Sequence, residues 1–145
     1  MLNVGDSQEF ILVSAPNKMG EAFIRQLCLH QAPFAVMVNN AREQDRMAEM
    51  GVKHFLRVDT AEQLNWHMPA FQVEKVFLFE NSFNLCCRYI QMCRRWTLNP
   101  IYVITQTNNP RLVYRGLGAT YVIHSNSDEI PFLIQTVVGD RPQDV

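Results

Sequence analysis

The chain has 145 residues, 48% of them hydrophobic and 19% charged, which is the composition of a single globular domain and not of a disordered or fibrous chain. Thirteen basic against fourteen acidic side chains give a formal charge of -1, so no global positive field is available to hold nucleic acid or an anionic membrane. No window approaches the roughly 20 apolar residues of a membrane span, and no leader pattern is legible before Phe10; the expectation is a soluble cytoplasmic domain covering residues 1–145.

Apolar runs of strand type alternate with segments of helical periodicity. The runs are Phe10 to Val13, Phe34 to Val38, His54 to Val58, Val76 to Phe79, Ile101 to Ile104 and Tyr121 to Ile123, each short and bounded by turn residues. The first is followed by the turn Ser14-Ala15-Pro16-Asn17-Lys18-Met19-Gly20 and a helix over Met19 to His30. Asn39-Asn40 precede a helix at Ala41 to Met50, which Gly51 ends, and Asp59-Thr60 can cap a helix beginning near Ala61. A fourth helix carries Phe83, Cys87 and Ile90 on one stripe. Asn99-Pro100 precedes the fifth strand, and Asn108-Asn109-Pro110 opens a helix that Gly116 and Gly118 close. Such alternation predicts right-handed crossovers and a three-layer, doubly wound parallel α/β sheet of about six strands.

In such a sheet, ligands bind at the carboxyl ends of the strands, and a dinucleotide sits on the first strand-to-helix turn. The candidate site is therefore Ser14, Ala15, Asn17, Lys18, Met19 and Gly20, with Asn39, Arg42, Asp59, Glu80 and Asn81 from the later strand ends. Glycines normally let the backbone approach the pyrophosphate; here only Gly20 remains, and Pro16 lacks an N–H. Asn17 tolerates left-handed backbone angles, Ser14 can donate a hydrogen bond and Lys18 supplies a positive charge, so an anion could still be held. Where an acid usually bonds the ribose stands Asn39, with Arg42 nearby to accept a 2′-phosphate; the competing reading of Asn39 is a helix N-cap. Asp59 and Asn81 have the same competing reading. Glu80, directly after an apolar strand, must be solvated or paired.

A catalytic constellation is not legible. His30, His54, His67 and His124 are scattered without metal-ligand spacing, and neither a G-x-S-x-G elbow nor a Tyr-x-x-x-Lys pair occurs, so an enzyme is not expected. Cys28, Cys86, Cys87 and Cys93 suit neither a disulfide framework nor a zinc site and read as reduced thiols packed on helices. Lys75, Arg88, Arg94 and Arg95 read as the solvated face of the fourth helix. Trp66, Met68, Phe71 and Phe83 are candidates for a surface that a partner covers.

From Val73 to Gln135 the pattern of strand Val76 to Phe79, then Asn99-Pro100 with Ile101 to Ile104, Asn108-Asn109-Pro110 and Leu117-Gly118-Ala119 with Tyr121 to His124 resembles one family. It is similar to the second half of the N-terminal, Rossmann-like nucleotide-binding domain of RCK (TrkA-N) proteins, the regulators of potassium conductance in bacterial Trk and Ktr uptake systems and potassium channels. The first half agrees in spacing, including the strand after Gly51 with its acidic end at Asp59, while the family's G-x-G-x-x-G is replaced by the one-residue-longer Ser14 to Gly20 turn. That turn also resembles the Gly-Ala-Thr-Gly-Lys-Ile-Gly turn of NmrA-type NAD(P)-binding proteins. The RCK resemblance implies a non-enzymatic regulatory module that binds NAD(P) or another adenine nucleotide. It also implies a homodimer or higher homo-oligomer that signals to a membrane transport protein. The alternatives are a scaffold that has lost the nucleotide and an NmrA-like NADP(H) sensor.

Overall fold

The structure, a computed structural model, describes residues 9–58, 69, 71–107, 111–125 and 131–138. In chain order it contains β1 (Glu9–Ser14), α1 (Lys18–Leu29), β2 (Phe34–Val38), α2 (Ala41–Glu49), β3 (Phe55–Arg57), β4 (Gln72–Phe79), α3 (Phe83–Trp96), β5 (Ile101–Thr105), α4 (Arg111–Leu117), β6 (Tyr121–His124) and α5 (Pro131–Val138). The six strands form one sheet in the order β3-β2-β1-β4-β5-β6, and every neighbouring pair is parallel. This is the expected doubly wound α/β architecture, with its order reversing between β1 and β4.

The contiguous apolar runs arise because both faces of the sheet are covered. In β1, Ile11 and Val13 pack into a cluster with α1, α2 and α5, while Phe10 and Leu12 pack into a second cluster with α3 and α4. Each large aliphatic side chain buried in this way contributes about 1.5–3 kcal/mol. An aromatic ladder ties the later strands together: Phe77 stacks on Tyr102 at 4.7 Å and Tyr102 on Tyr121 at 5.0 Å, following the β4–β5–β6 register.

Several boundaries differ from the sequence reading. β3 begins at Phe55, leaving His54 outside it, and β4 begins four residues before Val76, at Gln72. Glu74 and Lys75 hid that extension. Lys75 is buried in β4, and its ammonium donates to the Thr136 carbonyl in the last turn of α5, where a cation complements the helix dipole. Arg94 is also not part of a solvated face. Its guanidinium donates to the carbonyls of Gly118 (2.6 and 3.1 Å), Thr97 (2.8 Å) and Asn99 (3.1 Å), joining the end of α3 to the turn before β6. Phe71 and Phe83 are half-buried against Phe10 and Tyr114, whereas Trp66, Met68, His67 and the helix expected near Ala61 lie outside the described residues. The cysteines are free thiols, with Cys86 and Cys93 in the core against the sheet.

α1 lies close to the end of β1 because residue 20 has no side chain. A Cβ there would lie 2.7 Å from both the Cα and Cβ of Ala15 and 3.2 Å from Cγ of Phe79. Gly20→Ala should therefore cost about 1–3 kcal/mol through overpacking against backbone. Gly116→Ala, in α4 with nothing within 4 Å of the added carbon, should be neutral or stabilising by up to about 1 kcal/mol. Urea unfolding of the two variants checks this contrast; equal effects would contradict it.

Candidate functional site

The crevice expected to hold a ligand lies where the order of the sheet reverses, above Ser14 of β1 and its register partner Leu78 of β4. Ser14 and Ala15 are buried, at 3% and 1% exposure, so the turn enters α1 beneath the surface. Asn17 is the N-cap of α1, with an extended backbone (φ -132°, ψ 176°) in place of the left-handed conformation it tolerates. Its Oδ1 accepts from the Gly20 N–H at 2.8 Å, and its Nδ2 donates across the crevice to the Glu80 carbonyl at 3.0 Å. One side chain thus satisfies a free donor of the helix and fastens the turn to the end of β4.

Beside the bridge, a small space of about 10 Å³ between Pro16, Ser82, Leu85 and Tyr89 is enough for one water. Met19 is buried at 2% in the α1 core cluster, and Lys18 is exposed at the first turn.

The second rim position is organised around α2. Asn40, not Asn39, is the N-cap: its Oδ1 accepts from the Glu43 N–H at 2.8 Å. Asn39 stands one residue earlier, where its N–H donates to Glu43 Oε1 (3.2 Å) and its Oδ1 accepts from Asn40 Nδ2 (2.9 Å). Glu43 thereby closes a variant of the capping box. Arg42 is exposed in the first turn of α2, and Asp59 lies outside the described residues.

Glu80 is paired, and its carboxylate turns inward. At 7% exposure, its Oε1 accepts from the hydroxyls of Thr105 (2.5 Å) and Thr107 (3.0 Å), and its Oε2 from the hydroxyl of Tyr114 in α4. These contacts bind the ends of β4, β5 and α4 together. The three hydroxyl residues were absent from the sequence reading, although Thr105 was findable: with Phe79 opposite Ile104, the next pair is Glu80 and Thr105. Asn81 is exposed, and Ser82 caps α3 by accepting from the Leu85 N–H at 3.3 Å. Of the candidate residues, the structure brings together Asn17 and Glu80, while Asn39 and Arg42 belong to the separate α2 cap.

Burial and the nearby carboxylate push the Cys86 thiol up to about 12, and burial raises Cys93; burial and the hydrogen bond to Glu80 raise Tyr114. Such thiols are not activated nucleophiles. Among the described residues, no group of three His, Cys, Asp or Glu side chains could hold a metal ion, and no helix is long and apolar enough to cross a membrane.

No sequence-family model and no curated protein sequence matches the chain. Solved structures do match it in fold. The GsuK channel bound to NAD superposes with a TM-score of 0.65 at 15% identity over 81% of this chain. The TrkA-N domain of the inner membrane protein ybaL from Escherichia coli gives 0.62 at 12% over 95%, and the NAD(P)-binding domain of an exopolyphosphatase-related protein from Archaeoglobus fulgidus gives 0.64 at 10% over 91%. The chain spans 22% of the GsuK channel chain, but 98% and 99% of the two isolated domains. Its fold is that of the RCK and TrkA-N domains, as the resemblance implied.

Tyr114→Phe should cost about 1–3 kcal/mol by removing a donor to a buried carboxylate, against under about 0.5 for Tyr121→Phe at a half-exposed position; urea unfolding separates them. Stability should also fall as pH rises above 9. The unfolded thiols and phenols release protons near 9 and 10 while Cys86, Cys93 and Tyr114 keep theirs in the fold, so the unfolded state binds fewer protons. The loss approaches about 1.4 kcal/mol per pH unit for each such group. Unfolding midpoints that stay level between pH 8 and 11, an interval of about three units, would contradict it.

Proposed function

We propose that this chain is a non-enzymatic regulatory module of the RCK N-terminal kind, which acts through contact with a partner, such as a potassium transport system, and binds adenine nucleotides only weakly. The observation that carries this reading is the Asn17 bridge to the Glu80 carbonyl, a side-chain contact across the end of the sheet at which folds of this kind hold a diphosphate. The fold supports the regulatory role, because the GsuK structures that share it include forms bound to NAD and to ADP.

Exposed apolar side chains support contact with other chains as the working mode. Leu112 and Val113 of α4, Tyr121 of the edge strand β6 and Phe132 of α5 are 81%, 40%, 50% and 42% exposed. A homo-oligomer that buries them fits the family's implied mode of signalling. Lys18 at the start of α1 and Asn39 and Arg42 at the start of α2 are the groups left to meet the phosphate and ribose of a weakly held nucleotide. The cytoplasm is the compartment this role implies.

Calorimetric titration with NAD(H), NADP(H), ATP and ADP tests the reading. The wild-type chain should bind each with a dissociation constant of about 1 mM or weaker. Asn17→Gly keeps the helix cap within a few tenths of a kcal/mol and removes the bridge, so it should tighten binding about tenfold. Micromolar binding by the wild-type chain, or no gain in Asn17→Gly, would overturn the assignment of the bridge as the barrier.

A further inference from the structure

A cleft lies at the opposite end of the sheet from the nucleotide crevice. It encloses about 500 Å³ at the amino ends of β1, β2 and β3, within the size range of small-molecule sites. Its floor is apolar: Phe10 and Phe34 are buried and present what exposure they keep to this space. Its wall carries the half-buried Cys28 thiol, and its rim carries Gln31, Lys53 and His54, all exposed. His54 is fixed edge-on against the Phe10 ring at 5.1 Å and 79°.

Two features set this cleft apart from an incidental dent. The first is charge. Lys53 and the Cys28 thiol line the same cleft, so the ammonium is the charged group of its wall. Among the described residues no carboxylate lines the cleft, and Lys53 has no ion-pair partner there. The second is the backbone. α1 and α2 both end beside the cleft in the same turn, in which the N–H groups at 31 and 32 bond the carbonyls of Cys28 and Leu27, and those at 51 and 52 bond Ala48 and Met47. This turn needs a left-handed residue. The second turn uses Gly51 (φ 101°), whereas the first uses Gln31 (φ 55°), a side chain retained at a strained position on the rim. Strain of that kind at a cleft points to a ligand contact.

We propose that this cleft binds a small organic anion with an apolar body, an aryl or alkyl carboxylate, whose hydrocarbon lies on Phe10 and Phe34 and whose charge meets Lys53 with Gln31 as a hydrogen-bond donor. The site is separate from the nucleotide crevice and does not depend on the regulatory reading.

An amide-resolved NMR titration with hydrocinnamate, and with the uncharged hydrocinnamyl alcohol as comparison, tests it on the full chain. Hydrocinnamate should give saturable shifts at the amides of Gln31, Phe34, Lys53 and His54, and bind about fivefold tighter than the alcohol. Lys53→Ala, an exposed change whose spectrum itself reports folding, should abolish that difference; Gln31→Gly should weaken the acid while leaving the fold intact. Absence of saturation, shifts centred on Ser14 to Gly20, equal affinity for acid and alcohol, or an unchanged acid affinity in Lys53→Ala would each overturn the proposal.

Discussion

The architecture depends on how closely α1 approaches the end of β1. With Ala15 buried and residue 20 lacking a Cβ, the helix starts against the strand with no gap between them, and its first turn lies at the level of the sheet's carboxyl edge. This proximity lets one short amide at position 17 reach both the Gly20 N–H and the Glu80 carbonyl. In a glycine-rich turn the same proximity serves a pyrophosphate. Here the protein's own side chain supplies the acceptor oxygen that a phosphate would offer, and the site is satisfied from within.

The polar groups beneath that bridge follow the same economy. Glu80 follows a run of apolar residues into the interior, where an isolated carboxylate would be costly, and three hydroxyls from two later segments turn toward it. Its backbone N–H continues the sheet to Ile104 and its carbonyl receives Asn17, so one residue joins the crevice, the sheet and α4. Those contacts favour a rigid crevice floor, because moving Asn17 disturbs a carbonyl whose residue is anchored on its other side.

Much of the fold was legible because buried parallel strands write themselves as unbroken apolar runs: Phe34 to Val38 coincides with β2, and Phe10 to Val13 and Ile101 to Ile104 fall inside β1 and β5. The start of β4 was not legible, since Glu74 and Lys75 interrupt the apolar run and Lys75 read as part of a solvated basic face; only the tertiary position of α5 explains how Lys75 is accommodated. Arg94 misled for the same reason, its guanidinium being used in part on the Gly118 carbonyl 24 residues away. At the site, the turn and its surviving glycine could be read directly. The closure could not, because it rests on a hydrogen bond between residues 63 positions apart and on an asparagine whose local preferences point equally to a turn, a cap or a left-handed bend. Asn39 illustrates the limit of one residue: the cap fell to its neighbour Asn40.

The Lys75 contact also links the middle of the sheet to the end of the described chain. β4 sits in the middle of the sheet, yet the carbonyl that receives its buried ammonium belongs to α5, more than sixty residues later, and α5 also supplies Leu133, Ile134 and Val137 to the α1 face. During synthesis, the strands of the first half leave the ribosome with that face uncovered and that charge without its helical acceptor. The α1 face of the sheet is therefore fully covered only once α5 has been made, which leaves apolar surface open on the chain until then.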